Sequence, residues 1–426
     1  MSHFRDRSEI FDFSKPYAAN RRLVLLIFLF RQQTTLRKLL FIAVLIPILG
    51  GMGWWYFRAQ SLPDYGPAYR EYAYVTNGKS NTVSVIDLRT FALTKTIPVG
   101  SEPTGIAANS KKNEVYVVNT GSNNVSVINA EANTVVATIG VHGRPYFIDV
   151  AEDGKRAYVA NSASANVSVI DLEKRIVIGN VRVGASPGMA RISPDGSSVV
   201  VSNRGDNTVS LIDAKTLRLR ATLPICQAPE AIVILLDSSK AFVACSGSSQ
   251  VASIALQSGP QKSDRLLALL DVGRSPVSLT LKPDGGELIV CNFDSDSISI
   301  IETGNDEVGN SLEIGQHPSR GAVTLDNSRL YVTNFGSNSV AVYDIDIGRR
   351  IDTLAVGSRP DGLALTPDQN YILVLDTQSG DVTVIQKRKG RKLEPKEYSL
   401  LTLIPVGMQP NAIVVKAFMA TAGKKK

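Results

Sequence analysis

Tyr74-Val75-Thr76-Asn77 is the first copy of a short motif that occurs eight times along this chain. The copies end at residues 77, 119, 161, 203, 245, 292, 334 and 376, so successive copies are 42 residues apart except for one interval of 47. Self-similarity at a period of about 40 residues is typical of folds in which each repeat is one supersecondary unit. The repeat therefore determines the fold class.

Each repeat contains four short segments of strand-forming residues, separated by turns. After the first motif come an alternating apolar segment at 83–87 and a third segment at 94–99. A Gly-x-x-Pro turn at 100–103 then leads into a fourth segment, 105–108, that is rich in small residues. Short β-branched segments joined by Gly, Asn, Ser and Pro turns predict antiparallel strands in hairpins. Four strands in about 42 residues correspond to one blade of a β-propeller.

The number of repeats predicts the number of blades. A proline opens the small-residue strand at 103, 145, 187, 229, 276, 318, 360 and 410, which is also eight times. The first motif has no such strand before it, and the last such strand, 411–416, has no motif after it. We therefore expect an all-β, eight-bladed propeller of four-stranded antiparallel blades, in which the C-terminal strand completes the first blade and covers a free sheet edge. A seven-bladed ring is the alternative, and it would leave one repeat outside.

The repeated motif resembles the YVTN family of β-propeller repeats, which includes relatives of archaeal surface-layer proteins and bacterial periplasmic propellers. The resemblance covers about residues 70–416. It implies the fold but little about function, because this class includes lactonases, lyases and haem-binding proteins. An eight-bladed relative, the haem d1 propeller of nitrite reductase, implies a haem cofactor as an alternative.

The N-terminal region contains a candidate membrane span. Residues 39–57 carry no charge, and a helix of that length is roughly 28 Å long, close to the thickness of a bilayer core. Basic residues precede it at 31, 37 and 38, and both tryptophans lie at its far end. This pattern predicts a single-pass signal anchor in the cytoplasmic membrane, with the N-terminus inside and the propeller in the periplasm or outside the cell. A cleaved signal peptide is the alternative.

Charge is concentrated at the two ends of the chain. The chain has 426 residues and a net charge of +7. Residues 1–60 carry +6, residues 387–426 carry +8, and the remainder carries −7. We predict a cytoplasmic basic segment at 1–38, a linker at 58–70, the propeller at 71–418 and a disordered basic tail at 419–426. The acidic balance of the propeller disfavours nucleic acid and other polyanions as partners.

Variation among the repeats marks candidate ligand-binding residues. Loops entering the small-residue strands and loops following the motif should share one face around the channel mouth. On that face we expect arginines to converge and to suit a carboxylate, a phosphate or an anionic polymer. The alternative is that they are solvated and balanced by nearby acids. The residues concerned are Arg144, Arg204, Arg274, Arg320, Arg359, Glu102, Glu230 and Asp361.

Two histidines define the candidate cofactor site. His142 and His317 precede the small-residue strands of the third and seventh blades, which face each other in an eight-bladed ring. Opposed imidazoles could ligate haem or a metal ion, although they could equally be unrelated loop residues. With three cysteines and three histidines in the chain, a zinc or iron–sulfur site of the usual spacing is excluded. We expect no resident cofactor, with haem or metal as the alternative.

Two further features concern structure. Cys226 and Cys245 should lie at the same end of one blade, where they could form a disulfide in an oxidising compartment or remain separate buried thiols. The asparagine that ends most copies of the motif is expected to cap the following turn, with its amide bonded to the loop backbone.

The sequence contains no Walker loop, GxSxG, HExxH or EF-hand motif. The leading hypothesis is therefore a membrane-anchored binding or scaffold module for a protein, a cell-envelope polymer or an anionic ligand. An enzyme or cofactor carrier is the first alternative, and a nucleic-acid or polyanion binder is the second.

Overall fold

The computed structural model describes residues 66–257, 263–388 and 397–420. Within these ranges the chain forms eight separate four-stranded antiparallel sheets. The only helical element in the described ranges is one 3₁₀ turn, Phe293–Ser295. The eight-bladed all-β prediction is confirmed, and the seven-bladed alternative is wrong, because the strands form eight four-stranded sheets.

Blades are numbered 1 to 8 and strands β1 to β32 in chain order. The innermost strands of blades 1 to 8 are β32 (Pro410–Met419), β4 (Pro103–Ala108), β8 (Pro145–Val150), β12 (Pro187–Ile192), β16 (Pro229–Ile234), β20 (Pro276–Leu281), β24 (Pro318–Val323) and β28 (Pro360–Leu365). The second strands are β1 (Tyr69–Asn77), β5 (Glu114–Asn119), β9 (Arg156–Asn161), β13 (Ser198–Asn203), β17 (Lys240–Cys245), β21 (Glu287–Asn292), β25 (Arg329–Asn334) and β29 (Tyr371–Asp376).

The third strands are β2 (Thr82–Asp87), β6 (Asn124–Asn129), β10 (Asn166–Asp171), β14 (Thr208–Asp213), β18 (Gln250–Ala255), β22 (Ser297–Glu302), β26 (Ser339–Asp344) and β30 (Asp381–Lys387). The outermost strands are β3 (Ala92–Pro98), β7 (Thr134–Gly140), β11 (Ile176–Arg182), β15 (Arg218–Pro224), β19 (Arg265–Asp271), β23 (Glu307–Glu313), β27 (Arg349–Ala355) and β31 (Tyr398–Pro405). Each repeat of the sequence thus supplies three strands of one blade and the innermost strand of the next.

The ring closes through its last strand, as predicted. β32 pairs antiparallel with β1 over the whole of β1, from Tyr69 opposite Met419 to Asn77 opposite Pro410. The amide of Asn411 donates a hydrogen bond to the Pro103 carbonyl of blade 2, at 2.9 Å. The C-terminal strand therefore connects blade 1 to blade 2 as well as completing blade 1, so that no edge of β1 is left unpaired.

The hydrophobic core lies between neighbouring blades. Side chains of the second and third strands are almost entirely buried, as in blade 2, where Val118 and Val125 pack with Ile148 and Val159 of blade 3. Complete burial of a valine or isoleucine side chain contributes about 1.5–3 kcal/mol relative to its exposure. Alternating apolar residues in every repeat supply such contacts at each junction, so the packing between blades holds the ring together.

The membrane span predicted at 39–57 lies outside the described residues, as do residues 1–38, most of the 58–70 linker and residues 421–426. No helix in the described ranges is long and apolar enough to cross a membrane. The propeller itself begins with β1 at Tyr69 and ends with β32 at Met419. The anchor, the topology and the basic tail remain predictions from the sequence.

Candidate ligand-binding site on the upper face

The upper face of the ring is the face that carries the Gly-x-x-Pro loops and the turns following the second strands. The residue before each inner-strand proline has a positive φ, between +48° and +56°, in all eight blades. In five blades its N–H donates to the Asn or Asp side chain of the preceding blade's upper turn, as Arg144 does to Asn123 at 2.8 Å. The backbone conformation is thus the same in every blade, while the side chain varies and is not buried in any of the eight.

In blades 2 to 5 the predicted arginines are paired with acids. Arg144 lies 3.7 Å from Glu102, and Arg204 lies 2.8 Å from Glu230. Both pairs are partly exposed, so each contributes little to stability, but the positive charge of each guanidinium is neutralised locally. This half of the upper face corresponds to the alternative in which the rim arginines are balanced by acids.

Arg274 has a structural contact of a different kind. Its guanidinium donates to the backbone carbonyl of Asp294 at 2.7 Å, and Ser275 donates to the Asp294 carboxylate at 2.5 Å. These bonds join the loop entering blade 6 to the turn that follows β21. Arg274 therefore fixes loop geometry instead of contributing an unpaired cation.

Blades 6 to 8 carry a row of aromatic and cationic side chains, which we call the aromatic row: Phe293, His317, Phe335 and Arg359. The His317 ring stacks on Phe293 with centroids 4.6 Å apart, and Phe293 contacts Phe335 at 5.8 Å. The Arg359 guanidinium lies 5.5 Å from the centroid of the Phe335 ring. Such cation–π contacts contribute about 0.5–1 kcal/mol at exposed sites. The row joins the loops of three blades into one surface.

Arg320 and Arg359 form no ion pair within the described ranges, and their guanidinium groups also lack the carbonyl contact that holds Arg274. Arg320 is an exposed residue of the inner strand β24. Asp361, predicted as part of the same site, lies on the neighbouring inner strand β28, and it likewise has no ion pair among the described residues. The structure therefore leaves uncompensated guanidinium groups in blades 7 and 8.

A recess of about 550 Å³ opens on the upper face beside Arg359. Loops of blades 7, 8 and 1 form its walls, and the described residues that line it include two cations and no carboxylate. Its principal lining residues are Lys79, Phe335, Arg359, Ser379, Met408 and Gln409. A concave site with an aromatic wall, a flexible methionine and two cations suits an anion that has an apolar portion.

The two candidate cofactor histidines are not part of a metal cluster. His142 is exposed in the loop entering blade 3, and His317 lies in the loop entering blade 7, four positions away around the ring. Within the described part of the chain, no three His, Cys, Asp or Glu side chains are grouped so that they could hold a metal ion. His317 Nδ1 lies 2.9 Å from the Phe293 carbonyl oxygen, which can only accept a hydrogen bond, so Nδ1 is the donor.

Cys226 and Cys245 are bonded to each other, with an S–S distance of 2.03 Å. The bond joins the loop entering blade 5 to the end of β17, where the other blades have a strand-ending Asn or Asp. Cys291 is a free and fully buried cysteine, and burial raises the pKa of its thiol to about 12. Among the cysteines, only this inert thiol is left without a covalent partner.

The strand-ending asparagines are structural, but their partners differ from the prediction. Asn161 donates to Asn166 at 2.7 Å and to Ser168 at 2.9 Å, both on the third strand of its own blade. The amide thus bonds side chains of the adjacent strand instead of loop backbone. The physical reason is burial: Asn161 is completely covered, so its amide N–H groups must find acceptors inside the blade.

Two members of the aromatic row, Phe293 and Phe335, were not among the residues predicted from the sequence, because the repeats were not compared at the position after the strand-ending residue. The residue that follows the strand-ending Asn, Asp or Cys is small in five blades, but it is Phe293 in blade 6, Phe335 in blade 7 and Arg204 in blade 4. Comparison of the repeats at that position would have found both phenylalanines. Lys79 and Met408 have no such signal, since only the folded ring brings them to Arg359.

Comparison with known proteins supports the fold. A family model described as a YNCE-like beta-propeller matches residues 51–192, and no curated protein matched the sequence. Solved structures with a similar fold include hydrazine synthase of Kuenenia stuttgartiensis, which is 21% identical with a TM-score of 0.53 over 64% of this chain and 91% of that one. A functionally unknown protein from Desulfotomaculum acetoxidans is 17% identical with a TM-score of 0.56, over 71% of this chain and 98% of that one.

The dihydro-haem d1 dehydrogenase NirN, solved in complex with DHE, is 15% identical with a TM-score of 0.65, over 80% of this chain and 74% of the other. Identities this low show a common fold and no more. The narrower relationship to YVTN and surface-layer proteins remains a prediction. The eight sheets and these similarities together establish that this chain is an eight-bladed β-propeller whose first part matches the YNCE-like β-propeller model.

Proposed function

We propose that this protein is a ligand-binding β-propeller, and that it holds an anion with an apolar or aromatic portion in the recess beside Arg359. The observation that carries the proposal is the Arg359 guanidinium over the Phe335 ring, in a concave site where the described residues supply neither an ion pair to Arg359 nor any carboxylate. Elsewhere on the same face, arginines are paired with Glu102 and Glu230. The contrast between the paired arginines of blades 2 to 5 and Arg359 at blade 8 favours one binding site over a uniformly basic upper face.

The chemistry of the recess defines the ligand class. The guanidinium offers planar paired donors to a carboxylate, sulfonate or phosphate, and Lys79 adds a second positive charge. Phe335 and Met408 offer apolar surface to the remainder of the ligand. A free small molecule and a terminal group of a cell-envelope polymer or a protein share this chemistry.

The test uses 2-naphthalenesulfonate, an aromatic anion with permanent charge, and its neutral analogue 2-naphthylmethanol. We expect the full-length protein in detergent to bind the sulfonate more tightly than the alcohol in calorimetric titrations. Arg359→Ala should weaken sulfonate binding by about tenfold or more, because a hydrogen bond to a charged group contributes about 1.5–3 kcal/mol. Arg144→Ala is the matched control, since Arg144 is already paired with Glu102. Equal losses in the two variants, or no binding at all, would contradict the proposal.

A location outside the cytoplasmic membrane, with residues 39–57 as a single-pass anchor, is part of the same proposal. It is supported by the uncharged segment at 39–57 with basic residues before it, and by the bonded pair Cys226–Cys245, because disulfides persist in oxidising compartments. Protease added to intact cells with a permeabilised outer layer should digest the propeller. A propeller that stays protected until the cytoplasmic membrane is lysed would refute this topology.

A haem-type cofactor, with or without an enzymatic role, is the second candidate. The observation in its favour is His317, whose Nδ1 bonds the Phe293 carbonyl, an arrangement that orients Nε2 for a metal. Similar folds occur in a dihydro-haem d1 dehydrogenase and in hydrazine synthase. Titration with haemin should then give a visible absorption band that is lost in His317→Ala and retained in His142→Ala. Identical spectra for the two variants would dismiss this candidate.

A further inference from the structure

Blade 8 departs from the other blades at the end of its second strand. In six blades that position is an asparagine whose amide donates hydrogen bonds to the third strand. In blade 2, for example, Asn119 donates to Asn124 at 2.7 Å. In blade 8 the same two positions are Asp376 and Asp381, which stand directly opposite each other in the β29–β30 pairing. A carboxylate pair therefore replaces an amide pair.

Two ionised carboxylates cannot take the place of this amide pair. The Asp376 side chain is completely buried, and it accepts a hydrogen bond from Thr383 at 2.6 Å through Oδ2. Oδ1 of Asp376 and Oδ1 of Asp381 are both buried, and neither forms a hydrogen bond with an N–H or hydroxyl donor within the described ranges. Because each carboxylate oxygen can only accept, a hydrogen bond between the two carboxyl groups would require a proton on one of them. One proton on one carboxyl group restores the missing donor.

The electrostatic surroundings retain that proton. Burial, and next the hydrogen bond with Asp381, raise the pKa of Asp376 from 3.8 to about 8, against smaller lowering effects from Thr383 and the Gly357 N–H. The strands on either side of the pair place uncharged residues beside it. Pro360 of β28 lies opposite Asp376, and Pro405 of β31 lies opposite Asp381.

Charged groups of the neighbouring elements do not compensate the pair. Arg359 and Asp361 flank Pro360 on β28, and Lys79 lies in the turn of blade 1 across the recess. Neither Arg359 nor Lys79 forms an ion pair with Asp376 or Asp381 within the described ranges, and Asp361 adds a further negative charge nearby. The pair therefore has no cationic partner among the described residues.

The carboxyl pair is directly connected to the recess. Asp376 is followed by the turn 377–380, whose four residues line the recess. Ser379 in this turn accepts a hydrogen bond from the Ser358 N–H, 2.9 Å away in the loop that carries Arg359. A Cβ placed on Gly357 would lie only 2.6 Å from the Asp376 carboxyl carbon, so this loop packs tightly on the acid. Repulsion between two ionised carboxylates would displace the turn and the Arg359 loop together.

We propose that Asp376 and Asp381 share a single proton, and that loss of this proton at alkaline pH loosens the 377–380 turn and weakens anion binding in the recess. This inference rests on the proposed function for its binding step only. The sharing of the proton is a property of the blade itself, and it has a separate readout.

The first measurement is stability as a function of pH, on the full-length protein. The matched control is Asp376→Asn/Asp381→Asn, which recreates the Asn119–Asn124 arrangement of blade 2 and does not titrate. Since the folded-state pKa of Asp376 lies above its ordinary value of 3.8, the folded state binds the extra proton and stability falls as pH rises. We expect the folded-to-unfolded ratio of the wild type, relative to the control, to fall by up to about tenfold per pH unit between pH 5 and 8, and then to level off.

The second measurement is binding of 2-naphthalenesulfonate at pH 6.5 and pH 9. We expect the wild type to bind on the order of tenfold more weakly at pH 9, a typical size for coupling between two sites. The double variant, and Asp376→Asn alone, should bind equally at both pH values, because the introduced amide supplies a permanent donor.

The outcomes separate the two proposals. Parallel stability curves for the wild type and the double variant would overturn the shared proton. Diverging stability curves with binding that is independent of pH would overturn the coupling to the recess. Absence of binding by every protein at pH 6.5 would overturn the proposed function and the coupling with it, while the stability curves alone would still decide the shared proton.

Discussion

Removal of the bond between Cys226 and Cys245 tests both the architecture of blade 5 and the compartment of the propeller. The two cysteines are separated by 19 residues in the chain. In the chain-entropy model, a crosslink that closes a loop of this size stabilises the folded state by about 3 kcal/mol. A propeller of roughly 350 residues has an unfolding entropy of about 0.7 kcal/mol per kelvin near 60 °C, so this loss corresponds to a decrease in Tm of about 4 °C.

The assay compares thermal unfolding of the wild type, Cys226→Ala/Cys245→Ala and Cys291→Ala. Cys291 is the matched control because it is equally buried but unbonded. We expect the Tm of the double variant to lie about 4 °C below that of Cys291→Ala, once the packing lost with the second sulfur atom has been subtracted. A reducing agent should lower the Tm of the wild type to that of the double variant and leave the double variant unchanged.

A thiol count provides the direct refutation. The chain has three cysteines, and the bond leaves one free thiol in the denatured, unreduced protein. Protein isolated from its native location without reducing agent should therefore titrate one thiol. Three titratable thiols, or equal melting temperatures for the double variant and the control, would refute both the crosslink and the oxidising compartment that it supports.

Two further predictions concern the packing of the ring. Gly315→Ala should destabilise the propeller by about 2 kcal/mol or more in denaturant unfolding, since Gly315 has a φ of +152° and an added Cβ would press on the side chain of Asn334. Gly304→Ala, where an added Cβ meets nothing within 4 Å, should have little effect, and equal losses would contradict this account. Burial lowers the pKa of Lys416 below its ordinary value of 10.5, so the folded state binds this proton more weakly than the unfolded chain does. The stability of the wild type relative to Lys416→Met should therefore rise with pH as pH approaches 10.5, and a fall or a flat curve over that range would show that the amino group is not buried.

Much of the upper-face geometry was beyond prediction because it depends on contacts between blades. The repeat places Arg144, Arg204 and Arg359 on one face, and this follows from strand order alone. Whether each guanidinium meets a carboxylate depends on side chains from the neighbouring blade: Glu102 reaches Arg144, and Glu230 reaches Arg204. These acids were recognised as candidates for balancing the arginines, but the pattern of repeats could not tell which arginines would remain unpaired.

The carboxyl pair in blade 8 shows a different limit. The replacement of the repeated asparagine by Asp376 is visible in the sequence, but an aspartate at the end of a strand is also an ordinary turn residue. The significance of Asp376 depends on two features of the fold: Asp381 lies opposite it on the third strand, and the Asp376 side chain is completely buried. Burial raises the pKa of Asp376, because an ionised carboxylate loses its hydration in the blade.

The all-β class, the eight blades and the closure by the C-terminal strand could all be read from the order of residues in the chain. They follow from a period of 42 residues and from the alternation of apolar side chains. Both are local properties of the sequence, and both recur in every repeat. Folding was needed to show which cations stay uncompensated, that the aromatic row joins three blades, and that two acids share a buried site. Charge compensation, stacking and desolvation depend on distances of a few ångströms between residues far apart in the chain, and periodicity contains no information about such distances.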